Sequence, residues 1–333
     1  MKAIIMPQPG PAEVLSLAEV DKPAISDAHQ VLIRIEAAGV NPVDTKLRSR
    51  GTYYPDALPA ILGCDGAGVV EAIGDKVCCL RPGDAVYFCH GGIGGEPGSY
   101  AQYKVLDEHL VVPKPTNLSF AEAAAAPLVL LTAWESLFDR ARVEAGQTVL
   151  IHAGAGGVGH VAIQLAKAAG CQVITTVSSA EKTEFVKRLG ADVVIDYRQE
   201  NCAAACLEAT GGQGVDMVLD TVGGKVFEAS FQATRPYGQV VSLLQPAADC
   251  DWKTARNRNL SISLELMLSP QYFGWHDAEQ HQSWILEQCR QRFETRELQI
   301  HLAHTLPLEQ AAEAHRLIEQ GGTQGKIALE ILH

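Results

Sequence analysis

Hydrophobic and polar positions follow two different rhythms along this chain. Up to about residue 122 the apolar runs are short and strand-like, at 1–6, 31–36, 68–73, 85–88 and 100–112. Turn residues separate them, among them Pro82-Gly83-Asp84 and a glycine-rich loop at 91–98. Many short strands with such punctuation predict a small, closed or partly open β-domain. No helical pattern follows the 91–98 loop, so it reads as a mobile flap or plain connector and not as a phosphate cradle.

From Ser119 the rhythm lengthens. Ser119 with Glu122 three residues on is a capping-box pattern, predicting a helix over 121–126 that Pro127 ends, and a second helix over 128–142. Strand and helix then alternate: strands at 148–153, 172–177, 192–196, 215–220, 239–244 and 260–266, helices at 160–169, 181–189, 202–210 and 225–234. This alternation predicts a doubly wound parallel sheet. Two more helices, 277–293 and 308–320, precede a strand at 326–331 that suits the β-domain better than the sheet. The nucleotide-type domain is therefore inserted in the other, with expected limits 1–122, 123–270 and 271–333.

The segment 148–170 carries the strongest chemistry. An apolar strand runs into Gly154-Ala155-Gly156-Gly157-Val158-Gly159, and a helix follows without interruption. Glycines permit the tight bend and the close approach of a pyrophosphate, while a helix start offers unpaired N–H groups and a partial positive charge. With 30 glycines in the chain, the spacing means little alone; the strand before it and the helix after it make it a dinucleotide-binding signal.

The residue ending the second strand of such a fold meets the adenosine ribose, where an acid favours NAD. Here the strand ends Val177-Ser178-Ser179-Ala180-Glu181-Lys182, with no acid at its tip. Ser178, Ser179 and Lys182 can donate to a 2′-phosphate, as can Tyr197 after the third strand. Ser179 also suits the cap of the helix beginning near Glu181. NADPH is the expected cofactor.

Net charge is −12, which argues against nucleic acid and anionic membranes as partners. No apolar run approaches the length of a membrane span. Nine scattered cysteines without framework spacing fit reduced thiols and a cytoplasmic setting.

Several stretches together resemble the medium-chain dehydrogenase/reductase superfamily, and within it the zinc-free quinone oxidoreductase branch that includes zeta-crystallin. They are Gly39-Val40-Asn41-Pro42-Val43-Asp44, Gly51-Thr52-Tyr53, Gly63-Cys64-Asp65-Gly66-Ala67-Gly68, Pro82-Gly83-Asp84-Ala85-Val86 and Leu131-Thr132-Ala133. Further on come 153–159, 178–182, Val194-Ile195-Asp196-Tyr197-Arg198, Asp220-Thr221-Val222-Gly223 and Gly325-Lys326-Ile327. The resemblance covers nearly the whole chain. It implies a Rossmann domain inserted in a GroES-like β-rich domain, with NADPH in the cleft between them and dimerisation through the edge of the nucleotide sheet. It places Asn41 and Thr132 near the nicotinamide, Ser178, Lys182 and Tyr197 on the 2′-phosphate, Val222 and Leu243 among the cofactor contacts, and Tyr53 toward the substrate.

Two departures matter. Zinc-dependent relatives carry a cysteine near the position of Asn41 and a His-Glu pair where Cys64-Asp65 stands. One thiolate cannot make a three-ligand site, and the four-cysteine structural lobe is missing, so no metal is expected. Cys64 reads as a small buried hydrophobe. Gly321-Gly322 stands where some relatives have a basic residue on the cofactor. Lys326 is a candidate replacement, but a solvated strand residue is the favoured reading of it.

Without metal, charge developing on a carbonyl or quinone oxygen needs a hydrogen-bond donor. Tyr53 is the candidate, with Asn41 and Thr132 nearer the nicotinamide; Asp44 is expected more to orient neighbours than to move a proton. The expected activity is hydride transfer from NADPH to a quinone. Reduction of α,β-unsaturated carbonyl compounds, a non-catalytic NADPH-binding role, and zinc alcohol dehydrogenase chemistry through Cys64 are the rivals, in falling order.

Overall fold

Two short strands open the chain, β1 (Lys2–Ile5) and β2 (Ser16–Glu19), paired antiparallel. The next, β3 (Gln30–Val40), is the longest in the protein and is buried at most positions. That explains its nearly unbroken apolar sequence: both faces are covered. Helix α1 (Pro42–Arg50) follows at once, with proline at its first position and Asp44 accepting from the Asn41 N–H at 2.8 Å. Proline fixes the helical φ there and loses only an N–H that would have no partner.

The computed structural model describes residues 1–333. Strands β4 (Asp65–Ile73), β5 (Ala85–Cys89), β6 (Tyr103–Asp107) and β7 (Val112–Pro113) continue the β-domain. Where the sequence predicts one strand over 100–112, the structure interrupts it with a 3₁₀ turn, Glu108–Leu110. The Asp107 carboxylate accepts the His109 N–H at 3.2 Å and breaks the ladder there. The core of this sheet gathers Val31, Ile33, Val70, Val86, Phe88 and Leu106.

Helix α2 (Phe120–Ala125) is capped as its sequence predicts: the Glu122 N–H donates to Ser119 Oγ (3.2 Å) and the Ser119 N–H to Glu122 Oε2 (2.8 Å). Helix α3 (Pro127–Trp134) starts on its proline and passes into a π-helical segment, Glu135–Arg140, in place of a uniform helix over 128–142.

The parallel sheet begins at β8 (Thr148–Ile151) and α4 (Gly157–Ala168). It continues through β9 (Gln172–Val177), α5 (Ala180–Arg188), β10 (Val193–Asp196), α6 (Cys202–Ala209), β11 (Val215–Asp220), α7 (Lys225–Ala233), β12 (Thr234–Ser242), α8 (Lys253–Asn257) and β13 (Ser261–Leu264). Spatial order is β10-β9-β8-β11-β12-β13 with every pairing parallel, the dinucleotide-fold order 3-2-1-4-5-6. Leu150, Ile174, Val218, Phe227, Phe231 and Val240 belong to its core.

The chain returns through α9 (Ser269–Phe273), α10 (His276–Glu294), β14 (Leu302–Pro307), α11 (Ala311–Gln320) and β15 (Lys326–Glu330). Strand β15 pairs antiparallel with β3, placing Ile327 opposite Val40, and β14 runs parallel to β15. Two units result: Met1–Leu128 with Leu268–His333, and Val129–Met267. The first boundary falls later than the expected 122, because α2 packs on β3, β4 and β15 and so belongs with the β-rich unit. No helix is long and apolar enough to cross a membrane, and all nine cysteines are free.

Candidate functional site

The glycine turn of the second unit is built by backbone strain and threonine staples. Ala153 sits at φ 49°, in the left-handed region. Its N–H donates to Thr176 Oγ1 (3.0 Å), and the Gly154 N–H donates to the Thr176 carbonyl (3.1 Å). The neighbouring Thr175 hydroxyl donates to the Ile151 carbonyl at 2.7 Å. A Cβ on Gly154 would collide with Thr175 Oγ1 and come within 2.9 Å of Ile163; one on Gly159 would strike the Ala153 carbonyl and lie 2.7 Å from Gly154 Cα. Gly156 is different: the only neighbour of its Cβ would be the Ala153 carbonyl, at 3.2 Å. No side chain caps α4, and Gly156, Gly157 and Val158 remain partly exposed. An uncapped helix start beside open space fits a pyrophosphate.

Ser178 and Tyr197 follow the paired ends of β9 and β10, where Val177 lies opposite Asp196. Tyr197 is 54% exposed. Ser179 caps α5, accepting from the Lys182 N–H at 3.3 Å. The Asp196 carboxylate, at the end of β10, is already engaged by the Arg198 N–H (3.1 Å) and the Gln199 amide (2.6 Å). Val222 and Leu243 stand on a turn organised by Asp220. Its carboxylate accepts from the N–H groups of Val222 (3.0 Å) and Gly223 (2.9 Å) and from the Ser242 hydroxyl (2.7 Å), while its carbonyl accepts from the Leu243 N–H (3.0 Å). Beneath the turn, burial pushes the His152 imidazole down to about 4, so it is neutral. Thr132 is buried on α3.

In the first unit the structure brings Asn41, Asp44 and Lys326 into one buried polar cluster. Lys326 is no solvated strand residue. It is 3% exposed, and its ammonium donates to Asn41 Oδ1 by a short hydrogen bond and to the Val40 carbonyl at 3.2 Å. β15 pairs with β3 in the register that aims Lys326 at the end of β3, which strand periodicity by itself does not reveal. Asn41 Nδ2 donates to Asp65 Oδ2 (2.8 Å), and Asp65 Oδ1 accepts from the Leu128 N–H (2.8 Å).

Asp44 Oδ2 accepts from both the Asn41 N–H (2.8 Å) and the Tyr100 hydroxyl (3.1 Å), with His315 Nε2 3.2 Å from that hydroxyl. Burial first, and the charge of Asp65 after it, raise the Asp44 carboxyl to about 7. Asp44 is wholly buried. Through these two bonds its carboxylate ties the start of α1 and Asn41 to Tyr100. Tyr100 and His315 escape a reading of motifs because their partners lie in distant segments; Asp65 stands within the 63–68 motif, but its partners Asn41 and Leu128 are not visible there.

Tyr53 is 38% exposed, its ring 5.0 Å from that of Tyr272. Tyr54, Phe273 and Trp275 extend an exposed aromatic group around Tyr272. Cys64 is fully buried, and burial drives its thiol well above the ordinary range. The 91–98 loop is not a free flap. Gly91, Gly92 and Gly94 are buried, and the Lys104 ammonium pins the loop by donating to the His90 and Pro97 carbonyls, both at 2.6 Å.

Comparison with known proteins agrees with this architecture. The alcohol dehydrogenase GroES-like domain matches residues 27–116 and the zinc-binding dehydrogenase family residues 189–329. The quinone oxidoreductase of Pseudomonas aeruginosa is 34% identical over 320 residues, 96% of each chain. An alcohol dehydrogenase superfamily protein from Novosphingobium aromaticivorans has a TM-score of 0.92 at 36% identity over the whole of both chains. The quinone oxidoreductase of Escherichia coli, solved in complex with NADPH, has a TM-score of 0.87 at 28% identity over 99% of this chain and all of its own. A Rossmann sheet inserted in a GroES-like domain defines an oxidoreductase of the medium-chain dehydrogenase/reductase superfamily. Within it, the chain belongs to the quinone oxidoreductase branch.

Proposed function

We propose that this protein is an NADPH-dependent reductase that transfers hydride to a quinone without a catalytic metal. What carries the reading is the acid-free tip of β9, with Ser178, Lys182 and Tyr197, beside the uncapped start of α4. A 2′-phosphate suits the first and a pyrophosphate the second. The NADPH complex of the Escherichia coli relative supports the same choice.

Bound NADPH supplies the hydride; this chain's residues supply position and electrostatics. The α4 N–H groups and Gly156 would hold the diphosphate, Val222 and Leu243 would contact the cofactor, and Asn41 and Thr132 are the residues assigned to its nicotinamide. Asn41 keeps its orientation because Lys326 and Asp65 hold its two amide atoms. The Tyr53 hydroxyl donates to the acceptor oxygen as negative charge develops there. The cluster of Tyr53, Tyr54, Tyr272, Phe273 and Trp275 favours a flat aromatic acceptor over a short enal.

The zinc-dependent alternative finds little support at Cys64-Asp65. The thiol is kept protonated by burial, and both Asp65 oxygens already accept hydrogen bonds. A homodimer through the edge strand β13 is part of the proposal, supported by the exposed Leu264 and Leu266.

The test is NADPH oxidation by chelator-treated protein with a panel of benzoquinones, naphthoquinones and enals. Turnover fastest with quinones is expected. Faster turnover with enals would replace the acceptor class, binding without oxidation by any acceptor would leave a non-catalytic nucleotide binder, and loss of activity on chelation would refute the metal-free reaction. Light scattering of the eluted protein reads the oligomeric state.

A further inference from the structure

A second polar constellation lies in the first unit, on the wall of a groove of about 890 Å³ whose lining includes His90, Glu96, His109, His276 and Glu279. The 3₁₀ turn Glu108–Leu110 presents His109, and the first turn of α10 presents His276 and Glu279. One donor atom from each of these three lies within 4.8 Å of the others. Glu279 Oε2 is 3.2 Å from His276 Nδ1 and 4.0 Å from His109 Nε2.

The state of His109 is the informative observation. Its Nδ1 is 2.7 Å from Asp107 Oδ1, and Asp107 also accepts the His109 backbone N–H, so the ring is fixed and its proton assigned to Nδ1. Its Nε2 is sealed from solvent and has no hydrogen-bond partner. A buried nitrogen left so loses its water without a compensating bond. An imidazole backed by a carboxylate on one nitrogen, with the other free and facing a second carboxylate, is the arrangement of a metal-ligating histidine. Glu279 is nearly buried too, at 7% side-chain exposure, and imidazoles from His90, His109 and His276 face its carboxylate.

We propose that His109 Nε2, His276 Nδ1 and Glu279 bind a divalent transition metal, zinc first, with the fourth position open to water or to a donor atom of a ligand in the groove. Metal–ligand distances of about 2.0–2.2 Å put tetrahedral neighbours about 3.3 Å apart. The His276–Glu279 pair already has that spacing, and the His109–Glu279 pair reaches it by a closure of roughly 0.7 Å. Two imidazoles and a carboxylate suit zinc and its neighbours better than magnesium or calcium. The ion would tie the 3₁₀ turn to α10 within one unit. It would occupy neither the Cys64-Asp65 position nor a cysteine lobe.

The experiment is calorimetric titration of zinc chloride into chelator-stripped, full-length protein, with cobalt(II) absorption as a second readout. One zinc per chain is expected, with visible cobalt bands of a four-coordinate site. His276→Ala and Glu279→Gln should each weaken zinc binding by at least about tenfold, while Cys64→Ser retains it. His276 is 78% exposed, so its metal-free variant should melt with the metal-free parent and bind NADPH as tightly. Absence of saturable binding, binding unchanged in both His276→Ala and Glu279→Gln, or loss in Cys64→Ser would each overturn the assignment.

Discussion

The ammonium of Lys326 donates to the side-chain oxygen of Asn41 across 285 residues of chain, and this contact decides which way the Asn41 amide faces. With Oδ1 taken, Nδ2 must point to Asp65, which it meets at 2.8 Å. Lys326 is also the buried cation opposing two buried carboxylates, and its charge lowers the pKa of both Asp65 and Asp44. Removing one member of such a group strands the others. Lys326→Met should lower stability in urea unfolding by about 3–5 kcal/mol. Adding Asp65→Asn should restore part of the loss, because the stranded charge is then gone. A single-variant loss below about 1 kcal/mol, the size of a surface pair, would show that the cluster is not held by this charge.

The same cluster makes stability depend on pH in two directions. Asp44 rises from 3.8 to about 7 through burial, so the folded state keeps a proton that the unfolded chain releases. Its contribution is complete below the unfolded value and is lost as pH rises toward 7. His315, pushed down to about 3 by burial and then by Arg48, acts oppositely: its contribution is present above 6.5 and is lost on acidification. Asp44→Asn keeps an acceptor for the Asn41 N–H and the Tyr100 hydroxyl but cannot ionise. Relative to the parent it should gain stability from about pH 4 to 7, by up to about 1.4 kcal/mol per pH unit. Denaturation curves at fixed ionic strength measure this, and parallel pH profiles for the two proteins would exclude the effect.

The inserted sheet was legible because its strands are buried on both faces and its helices carry apolar stripes, so each announces its own period. Helix α1 was not: its buried residues are Asp44, Thr45, Leu47 and Arg48, a polar inner face without hydrophobic periodicity. Strand β14 hides for the opposite reason, being mostly half-exposed. The glycine turn and the β9 tip are contiguous in sequence and could be read there. The Lys326–Asn41–Asp65 chain and the His109–Glu279 pair join segments far apart, and only pairing register and packing bring them together.

At the β9 tip, Lys182 is the one cation among the proposed phosphate ligands. A charge-assisted hydrogen bond contributes about 1.5–3 kcal/mol. Lys182→Ala should therefore weaken NADPH binding by about ten- to a hundredfold and leave NADH binding nearly unchanged, in fluorescence titrations with both. Equal losses for the two cofactors would contradict the 2′-phosphate assignment.

Tyr53→Phe separates ring from hydroxyl. The ring keeps its place against Tyr272, so the melting temperature should not move. If the hydroxyl donates to the acceptor oxygen, kcat/KM for quinones should fall by about two to three orders of magnitude, as when one oxyanion donor is removed. Turnover at the parental rate would reduce Tyr53 to a packing surface and move the donor elsewhere.

Two glycines of one turn should fail in different ways. At Gly159 a Cβ would press on the Ala153 carbonyl and on Gly154 Cα at 2.7 Å, both backbone atoms that cannot swing aside. Gly159→Ala should thus lose about 1–3 kcal/mol of stability, as overpacked sites do. At Gly156 the backbone, φ −78° and ψ 179°, suits any residue, and the Ala153 carbonyl at 3.2 Å need move only slightly. Gly156→Ala should fold with near-parental stability, yet its methyl group would occupy the space proposed for the diphosphate. NADPH affinity should then fall by at least about tenfold, the equivalent of 1.4 kcal/mol. Paired thermal melts and cofactor titrations read both axes. Parental NADPH affinity in Gly156→Ala would place the diphosphate away from this turn.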